Sequence, residues 1–148
     1  MNLNSIAHRP TPSARAQDWR DEVMYFPLTD RFHDGDPANN DSVNLGDPLA
    51  FHGGDFQGIR EKLDYIQETG ATTLWLAPIQ DNTNLGVIGD YKSAGYHGYW
   101  IRDHYGVEEH QGSLAEVKEL VHEAKERGMR VVLDTVLNHV APDHPWTQ

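Results

Sequence analysis

The sequence alternates between short apolar segments and helical patterns, and this alternation limits its possible folds more than any other feature. The apolar segments are short, rich in β-branched residues and bounded by glycine, proline or polar residues, as expected for strands. They are residues 22–28, 71–78 and 130–133. A helical pattern separates each pair. The order β-α-β-α-β, with strands too apolar for a solvated face, predicts an α/β fold in which helices cover a parallel sheet.

Residue spacing and capping residues define the two helices. Apolar residues of the first are three, four and three positions apart and share one helical face: Phe56, Ile59, Leu63 and Ile66. Gly70 is a natural C-terminal stop. The second helix begins at Ser113, where Glu116 completes a capping-box pair, and ends at Gly128. Its apolar face consists of Leu114, Val117, Leu120, Val121 and Ala124.

The connections differ in length according to their direction. Each helix-to-strand connection is two residues long, whereas the strand-to-helix connections occupy residues 29–55 and 79–112. Structureless loops of that length are uncommon in compact domains and are usually functional. Parallel α/β folds bind their ligands at the carboxyl ends of the strands, where these loops lie. We therefore expect the functional residues in the two long loops and just after the third strand.

Three strands cannot close a barrel, since a complete (β/α)8 (TIM) barrel needs about 250 residues. We expect residues 22–148 to be the N-terminal portion, about three βα units, of such a barrel, truncated before its fourth strand. Residues 1–21 are expected to be a flexible lead-in. They lack the apolar core of a secretory signal, which makes the cytoplasm the default location unless the true start differs. Alone, the chain should be poorly soluble or molten, because both edges of its sheet would be unpaired.

The composition excludes several classes of function. A net charge of −11 disfavours nucleic acid and anionic membranes as partners. The absence of cysteine excludes disulfides and thiol catalysis, and no run is long enough to span a membrane. No glycine-rich phosphate loop, G-x-S-x-G elbow or G-x-G-x-x-G motif occurs, which argues against nucleotide, serine-hydrolase and dinucleotide chemistry. The oligomeric state is left open.

The first long loop is rich in hard oxygen ligands. Carboxylates, amides and backbone carbonyls of this kind suit calcium, although the spacing is not that of an EF-hand. The candidates are Asp34, Asp36, Asn39, Asn40 and Asp55. The same residue types also form turns, and Asp55 is placed to cap the helix that follows. Residue type alone leaves both interpretations open.

The second long loop contains "AGYHGYWIRDHYG", residues 94–106, in which amphipathic aromatic residues alternate with polar ones. A sugar ring has an apolar C–H face and a polar rim, which such a surface suits. Packing of the loop is the competing explanation.

The third segment, "DTVLNH", places Asp134, Asn138 and His139 at the carboxyl end of the third strand. Each of these has an ordinary structural explanation when considered alone.

Together these segments resemble the start of the α-amylase family of glycoside hydrolases. "DTVLNH" resembles the family's motif at the third barrel strand, and "GYHGYW" its second-loop motif. "YFPLTDRFHDGD" and "TTLWLAPI" are similar to its first and second strands. The resemblance extends from about Val23 to the C-terminus, with the motifs in the family's order and spacing.

This resemblance implies a (β/α)8 barrel that acts on α-glucosidic bonds of starch-like α-glucans or maltooligosaccharides by a retaining mechanism. The family's nucleophile is an aspartate on the fourth strand, and its acid/base is a glutamate on the fifth. Both positions lie beyond Gln148. We therefore expect no catalytic residue in this chain and no hydrolysis by the chain alone.

The resemblance assigns roles to residues that are present. His97 and His139 would donate hydrogen bonds to the sugar, Tyr99 would stack on it, and Trp100 would support that wall. Asp134 would be a structural acid beside the active site. Calcium is the implied cofactor: Asn138 matches a ligand at the junction with an insert domain, and the first long loop resembles the additional calcium loop of cyclodextrin glucanotransferases. The implied ligands of that loop are Asp34, Asp36, Asn39, Asn40, Gly53 and Asp55.

Two alternatives to an enzyme fragment stay open at this point. A non-catalytic relative would keep the barrel and the sugar-facing aromatic residues as a carbohydrate-binding or partner module. An unrelated α/β barrel could match the motifs by chance. Binding without turnover would favour the module, whereas an aspartate and a glutamate on the fourth and fifth strands would favour the enzyme.

Overall fold

A computed structural model describes residues 18–147 of the chain. Most of the predicted lead-in, residues 1–17, lies outside the described residues, and Trp19–Asp21 form one 3-10 turn. Short 3-10 turns also occur at Pro37–Asn39 and Pro145–Thr147. The helices and strands are β1 (Met24–Tyr25), α1 (Thr29–Phe32), α2 (Phe56–Glu61), α3 (Leu63–Glu68), β2 (Thr73–Leu76), β3 (Asp81–Asn82), β4 (Gly86–Ile88), β5 (Tyr91–Ser93), β6 (Ile101–Asp103), α4 (Leu114–Glu126) and β7 (Arg130–Leu133).

The three predicted strands form one parallel sheet in the order β1-β2-β7. Met24 pairs with Thr73 at one edge, and the β2–β7 pairing runs from Thr73 opposite Arg130 to Leu76 opposite Leu133. The first strand has two residues, shorter than the predicted 22–28, and Pro27, which has no N–H to donate to a ladder, limits it on the C-terminal side. The sheet confirms the predicted β-α-β-α-β order.

The helices cover one face of this sheet and form the core with it. The buried apolar residues come from α2, α3, β2, α4 and the adjoining loops: Phe56, Ile59, Leu63, Ile66, Ala71, Leu74, Leu76, Val117, Leu120, Ala124 and Met129. Complete burial of one leucine or isoleucine side chain contributes about 1.5–3 kcal/mol. The predicted capping box of Ser113 and Glu116 is present at the start of α4.

The first predicted helix is divided into α2 and α3 at Lys62. The Lys62 N–H donates to the Ile59 carbonyl three residues back, and its ψ angle of 9° bends the chain there. The apolar spacing is unaffected by this bend, since Ile59 and Leu63 on either side of it are both fully buried. The predicted helical face is therefore confirmed, while the continuous helix is wrong.

The two long loops are more ordered than their length and sequence predict. The first contains α1, the second contains the β4–β5 hairpin, and β3 pairs with β6 in antiparallel fashion. These elements have two to four residues each, too few to produce a recognisable apolar period. They give both loops regular backbone structure that the apolar pattern of the sequence does not predict.

The sheet face opposite the helices is partly uncovered. Met24 on this face is about half exposed, Val132 is partly exposed, and Phe26 packs edge-on against the partly exposed Trp75 with ring centroids 5.0 Å apart. These apolar side chains belong to all three strands, so the sheet is apolar on both faces, as predicted. Within residues 18–147, no helix has both the length and the apolar character needed to cross a membrane.

Candidate functional site

The side chains predicted to bind sugar converge where β2 and β7 end. The Asp134 N–H donates to the Leu76 carbonyl over 3.0 Å, which continues the β2–β7 ladder by one residue. Asp134 Oδ1 accepts the N–H of Thr135, and Oδ2 accepts the hydroxyl of Tyr99 over 2.9 Å. The third strand and the second long loop are thereby joined through the Tyr99–Asp134 bond.

The Tyr99 hydroxyl is held as a donor. Burial raises its pKa, and the hydrogen bond and the charge of Asp134 raise it further. The phenol therefore stays protonated and keeps its ring fixed against the strand end. Asp134 is thus the acceptor that holds the Tyr99 hydroxyl, and the structural role that the family resemblance implies for it stays a prediction.

The hydrogen bonds of His97 define its tautomer. Its Nδ1 accepts the Tyr99 N–H over 3.0 Å, so the proton of the neutral ring is on Nε2. Burial lowers the pKa of His97, which favours this neutral form. The ring stacks beside Tyr99 with centroids 6.0 Å apart. Within residues 18–147 the Nε2–H of His97 makes no hydrogen bond, so it can donate to an acceptor on a ligand.

His139 lies in the same group but uses its N–H differently. Its Nε2 is 3.0 Å from the Tyr99 carbonyl, which can only accept, so Nε2 is the donor. In the neutral ring only Nδ1 then faces outward, as an acceptor, with the Asn138 amide nitrogen 3.5 Å away. The sugar contact predicted for His139 would in this structure accept a sugar hydroxyl proton rather than donate one.

Trp100 supports the other side of the aromatic wall. Its ring is edge-on to His97, with centroids 5.1 Å apart, and its backbone N–H donates to the side-chain oxygen of the buried Asn82 over 2.8 Å. A Cβ atom at Gly86 would lie 2.4 Å from the Trp100 ring, so the hairpin backbone packs directly on the indole. Gly98 adopts a φ of 88° and approaches the Pro78 carbonyl closely, which only glycine permits.

A groove of about 620 Å³ opens beside His139 and Asn138. Exposed side chains of Tyr105, Leu137 and Trp146 line it. Pockets for small ligands have volumes of about 300–1,000 Å³. The groove therefore has space for a sugar-sized ligand beside His139 and Asn138, whereas the wall formed by His97, Tyr99 and Trp100 does not line it.

The predicted calcium loop is organised around Asp55. This buried carboxylate caps α2 by accepting the Gly58 N–H over 2.6 Å. It also accepts the N–H groups of Gly35 and Asp36 and the side-chain amide of Asn39. Asp55 therefore has the helix-capping role that residue type left open, and at the same time it draws the loop residues around it.

Two amide oxygens in this loop are buried without a hydrogen-bond partner, those of Asn39 and Asn40. Asn40 donates its amide N–H to Asp34 over 2.7 Å. A Cβ atom at Gly53 would lie 2.6 Å from the Asn40 oxygen and 3.2 Å from an Asp34 oxygen, so these groups converge on the Gly53 backbone. Buried oxygens normally have a partner, and these lie among carboxylates, which fits a hard cation such as calcium.

Six of the seven predicted metal ligands thus belong to this loop, and Asn138 does not. It lies beside His139 at the end of β7. Arg31 nevertheless links the predicted calcium loop to Tyr96, whose ring is edge-on to His97 of the aromatic wall. The Arg31 guanidinium pairs with Asp30, donates to the Pro48 and Ala50 carbonyls, and stacks over the ring of Tyr96 at 3.9 Å.

Comparison with known proteins decides the family. The model of the α-amylase catalytic domain matches residues 26–148. This chain belongs to the α-amylase family. It is 40% identical over 146 residues to a cyclomaltodextrin glucanotransferase from Klebsiella oxytoca, with 93% of the chain covered. The crystal structure of an Anoxybacillus α-amylase is 50% identical in sequence, covers 88% of this chain and has a TM-score of 0.80. The crystal structure of an α-amylase from Geobacillus thermoleovorans complexed with acarbose is 46% identical, covers 88% of this chain and has a TM-score of 0.76.

The chain spans only part of these relatives: 22% of the glucanotransferase and 27% and 26% of the two α-amylases. Family membership and the structural matches confirm the predicted fold, an incomplete TIM barrel represented by its first strands and helices. The uncovered, apolar face of the β1-β2-β7 sheet agrees with a wall whose remaining strands are absent. The roles of individual site residues stay predictions.

A buried polar cluster that the sequence analysis does not identify lies beneath the aromatic wall of this α-amylase-family chain. Glu108 accepts the Asn82 N–H over 2.9 Å, and Asn82 in turn holds Trp100. The same carboxylate is 2.6 Å from Nδ1 of His110, whose ring stacks on Phe51 at 4.0 Å. Glu109 completes a trio whose ligand atoms lie within 4.8 Å of one another, but Glu108 and His110 already satisfy each other. In the sequence, the consecutive residues Glu108, Glu109 and His110 are the feature that could have indicated this cluster.

The Glu108–His110 pair predicts a pH-dependent stability. Burial alone lowers the pKa of His110, but the hydrogen bond and charge of Glu108 and the charges of Glu109 and Asp41 outweigh burial and raise it. Since the unfolded value is about 6.5, the stabilisation is complete below that pH and is lost as pH rises through the folded-state pKa. We expect the melting temperature of the full-length protein to fall over this range.

The control is a double variant, Glu108→Gln with His110→Gln, which keeps polar groups at both positions but removes both charges. Its melting temperature should depend less on pH across the same interval. His122→Gln alters an exposed imidazole and should retain the wild-type slope. Equal slopes for the wild type and the double variant would contradict this assignment.

Proposed function

We propose that this chain is the N-terminal part of the barrel of a retaining enzyme that hydrolyses or transfers α-glucosidic bonds in starch-like α-glucans. The observation that carries the proposal is the group formed by His97, Tyr99, Asp134 and His139 at the strand ends, in a chain of the α-amylase family. One relative is a glucanotransferase, and one similar structure contains acarbose, which supports an oligosaccharide ligand.

The residues present would bind the sugar rather than break its bond. Retaining chemistry needs two carboxyl groups about 5–5.5 Å apart, one as nucleophile and one as acid/base. The family places these on the fourth and fifth strands. In this chain, the Nε2–H of His97 would donate to a sugar hydroxyl, and the Tyr99 ring, fixed by Asp134, would contact the C–H face. His139 would accept from a second hydroxyl while it holds the Tyr99 carbonyl.

The reading frame beyond the codon for Gln148 and an activity assay test this proposal together. We expect an aspartate and a glutamate on the fourth and fifth strands and turnover of maltooligosaccharides by the full-length protein. Calorimetry with the same sugars separates the alternative: binding without turnover would indicate a carbohydrate-binding module. A frame that lacks both carboxylates would contradict the enzyme assignment.

We also propose that the loop around Asp55 binds calcium. The supporting observations are the unpartnered oxygens of Asn39 and Asn40 and their proximity to Asp34 and to the backbone of Gly53. Asp36 is beside them, with one carboxylate oxygen accepting the Ala38 N–H. A bound calcium ion would offset the charge of these carboxylates and hold residues 34–40 against residues 53–55. Asn138 would serve a second calcium position with ligands from beyond this chain.

Calcium should raise the melting temperature of the full-length protein, and chelation should lower it. A ligand that binds only the folded state stabilises it by about 2.7 kcal/mol at a concentration of 100 Kd. Asp34→Ala removes an exposed carboxylate that accepts a hydrogen bond from the Asn40 amide, so it should reduce the calcium-dependent rise and leave the calcium-free melting temperature almost unchanged. A wild-type melting temperature that is insensitive to chelation would contradict the site.

A further inference from the structure

The β4–β5 hairpin carries exposed side chains that have no role in the site described above. Val87, Ile88 and Tyr91 are each about half exposed, although all three are large and apolar or aromatic. The hairpin is three residues long on each side, with Gly89 in its turn at a φ of 60°. It lies in the second long loop, on the side of the sheet where the strands end.

The base of the hairpin is firmly held. Gly86 packs on the Trp100 ring at one side, and the buried Ser93 and Ala94 on the other side bond to the Leu49 carbonyl. The Gly95 N–H donates to the Thr83 carbonyl over 2.8 Å. The two strands pair in regular antiparallel register, with Ile88 opposite Tyr91. Tyr91 is therefore presented on an ordered support at a defined position beside the aromatic wall.

Tyr91 continues the series of aromatic rings that begins at the sugar site. Its ring is edge-on to Trp100 with centroids 6.4 Å apart, and Trp100 is edge-on to His97 at 5.1 Å. Since Tyr91 contacts Trp100 edge-on and is half exposed, part of its surface is open to solvent. An exposed aromatic ring supported at one side suits the C–H face of a hexose, and its hydroxyl suits a sugar hydroxyl.

We propose that Tyr91 forms an outer glucose subsite, which binds a unit of the α-glucan chain beyond the unit held by His97 and Tyr99. This inference rests on the proposed function, because the occupant is a further unit of the same substrate. It makes the β4–β5 hairpin a determinant of preference for chain length. The first subsite would recognise one glucose unit. The additional contact with Tyr91 would raise kcat/KM for substrates long enough to reach the hairpin.

The test compares kcat/KM of the full-length enzyme on maltotriose and on maltohexaose. We expect Tyr91→Ala to lower the value for maltohexaose about fivefold, the scale of one aromatic contact, and to leave maltotriose almost unchanged. Tyr91→Phe keeps the ring and should retain most of the preference for the longer substrate. Lys92→Ala, an exposed neighbour in the same hairpin, serves as the matched control.

The outcomes are distinct. An equal loss on both substrates in Tyr91→Ala would show that Tyr91 only supports Trp100 and would overturn the outer subsite, as would an unchanged length preference. In either case the activity of the wild type would leave the proposed function standing. A wild type that turns over neither substrate would overturn the proposed function and this inference with it.

Discussion

Replacing His97 with asparagine should lower kcat/KM of the full-length enzyme on maltooligosaccharides about 100-fold, because it removes the outward N–H at the sugar site. Loss of one positioned donor in an active site commonly costs about 10²–10³ in rate, and sugar hydrogen bonds of this class strengthen in the transition state. Asparagine retains an acceptor near the position of Nδ1, so the bond from the Tyr99 N–H can persist. A kinetic assay measures the loss, and an unchanged melting temperature separates it from misfolding.

Two further variants sharpen this result. His97→Gln places an amide nearer the position of Nε2 and should recover part of the activity. His122→Gln, on the exposed surface of α4, should behave as wild type. Wild-type kcat/KM in His97→Asn would contradict the assignment of His97 as a sugar donor.

Replacing Asp55 with alanine should have the largest effect on stability of any single change proposed for this chain. The substitution leaves the N–H groups of Gly35, Asp36 and Gly58 without their acceptor and removes the cap of α2. A buried group left unpaired costs about 1–3 kcal/mol, and loss of a helix cap about 1 kcal/mol, so we expect a destabilisation of at least about 3 kcal/mol. Chemical denaturation of the full-length protein would measure it.

Alanine variants of Asp64 and Asp34 separate the contribution of Asp55 to folding stability from the proposed binding of calcium by this loop. Asp64→Ala removes an exposed carboxylate paired with Arg127 on the surface and should change stability little. Asp55→Ala should lower stability both with and without calcium, whereas Asp34→Ala should affect only the calcium-dependent part. If Asp55→Ala unfolded at the same denaturant concentration as Asp64→Ala, the central position of Asp55 would be wrong.

The elements that the sequence predicts well are those with a long apolar period or a strong cap. Phe56, Ile59, Leu63 and Ile66 define a buried face correctly because their spacing reflects the geometry of a helix. The bend at Lys62 is not visible in that spacing, because the same residues stay buried on both sides of it. The hairpin and the short β3–β6 pair depend on tertiary contacts such as Gly86 on Trp100, which no local pattern contains.

The candidate site also contains residues that the sequence predicts and residues that only the structure identifies. Asp134, His97 and Tyr99 lie in motifs, and the structure places them together. Asn82 and Glu108 lie in ordinary polar stretches and become significant only because folding buries them beneath the wall. The direction of the His139 hydrogen bond was also beyond prediction, since it depends on which carbonyl lies opposite the ring.

The most direct test of the central claim follows the anomeric configuration of the product by proton NMR as the full-length protein acts on maltohexaose. A retaining enzyme for α-glucosidic bonds first releases the α-anomer, which then mutarotates towards equilibrium. We predict that the α-anomer signal rises first and that His97→Asn slows this rise about 100-fold. Initial release of the β-anomer, or binding of the sugar without any product, would contradict the claim that this chain begins a retaining α-glucan enzyme.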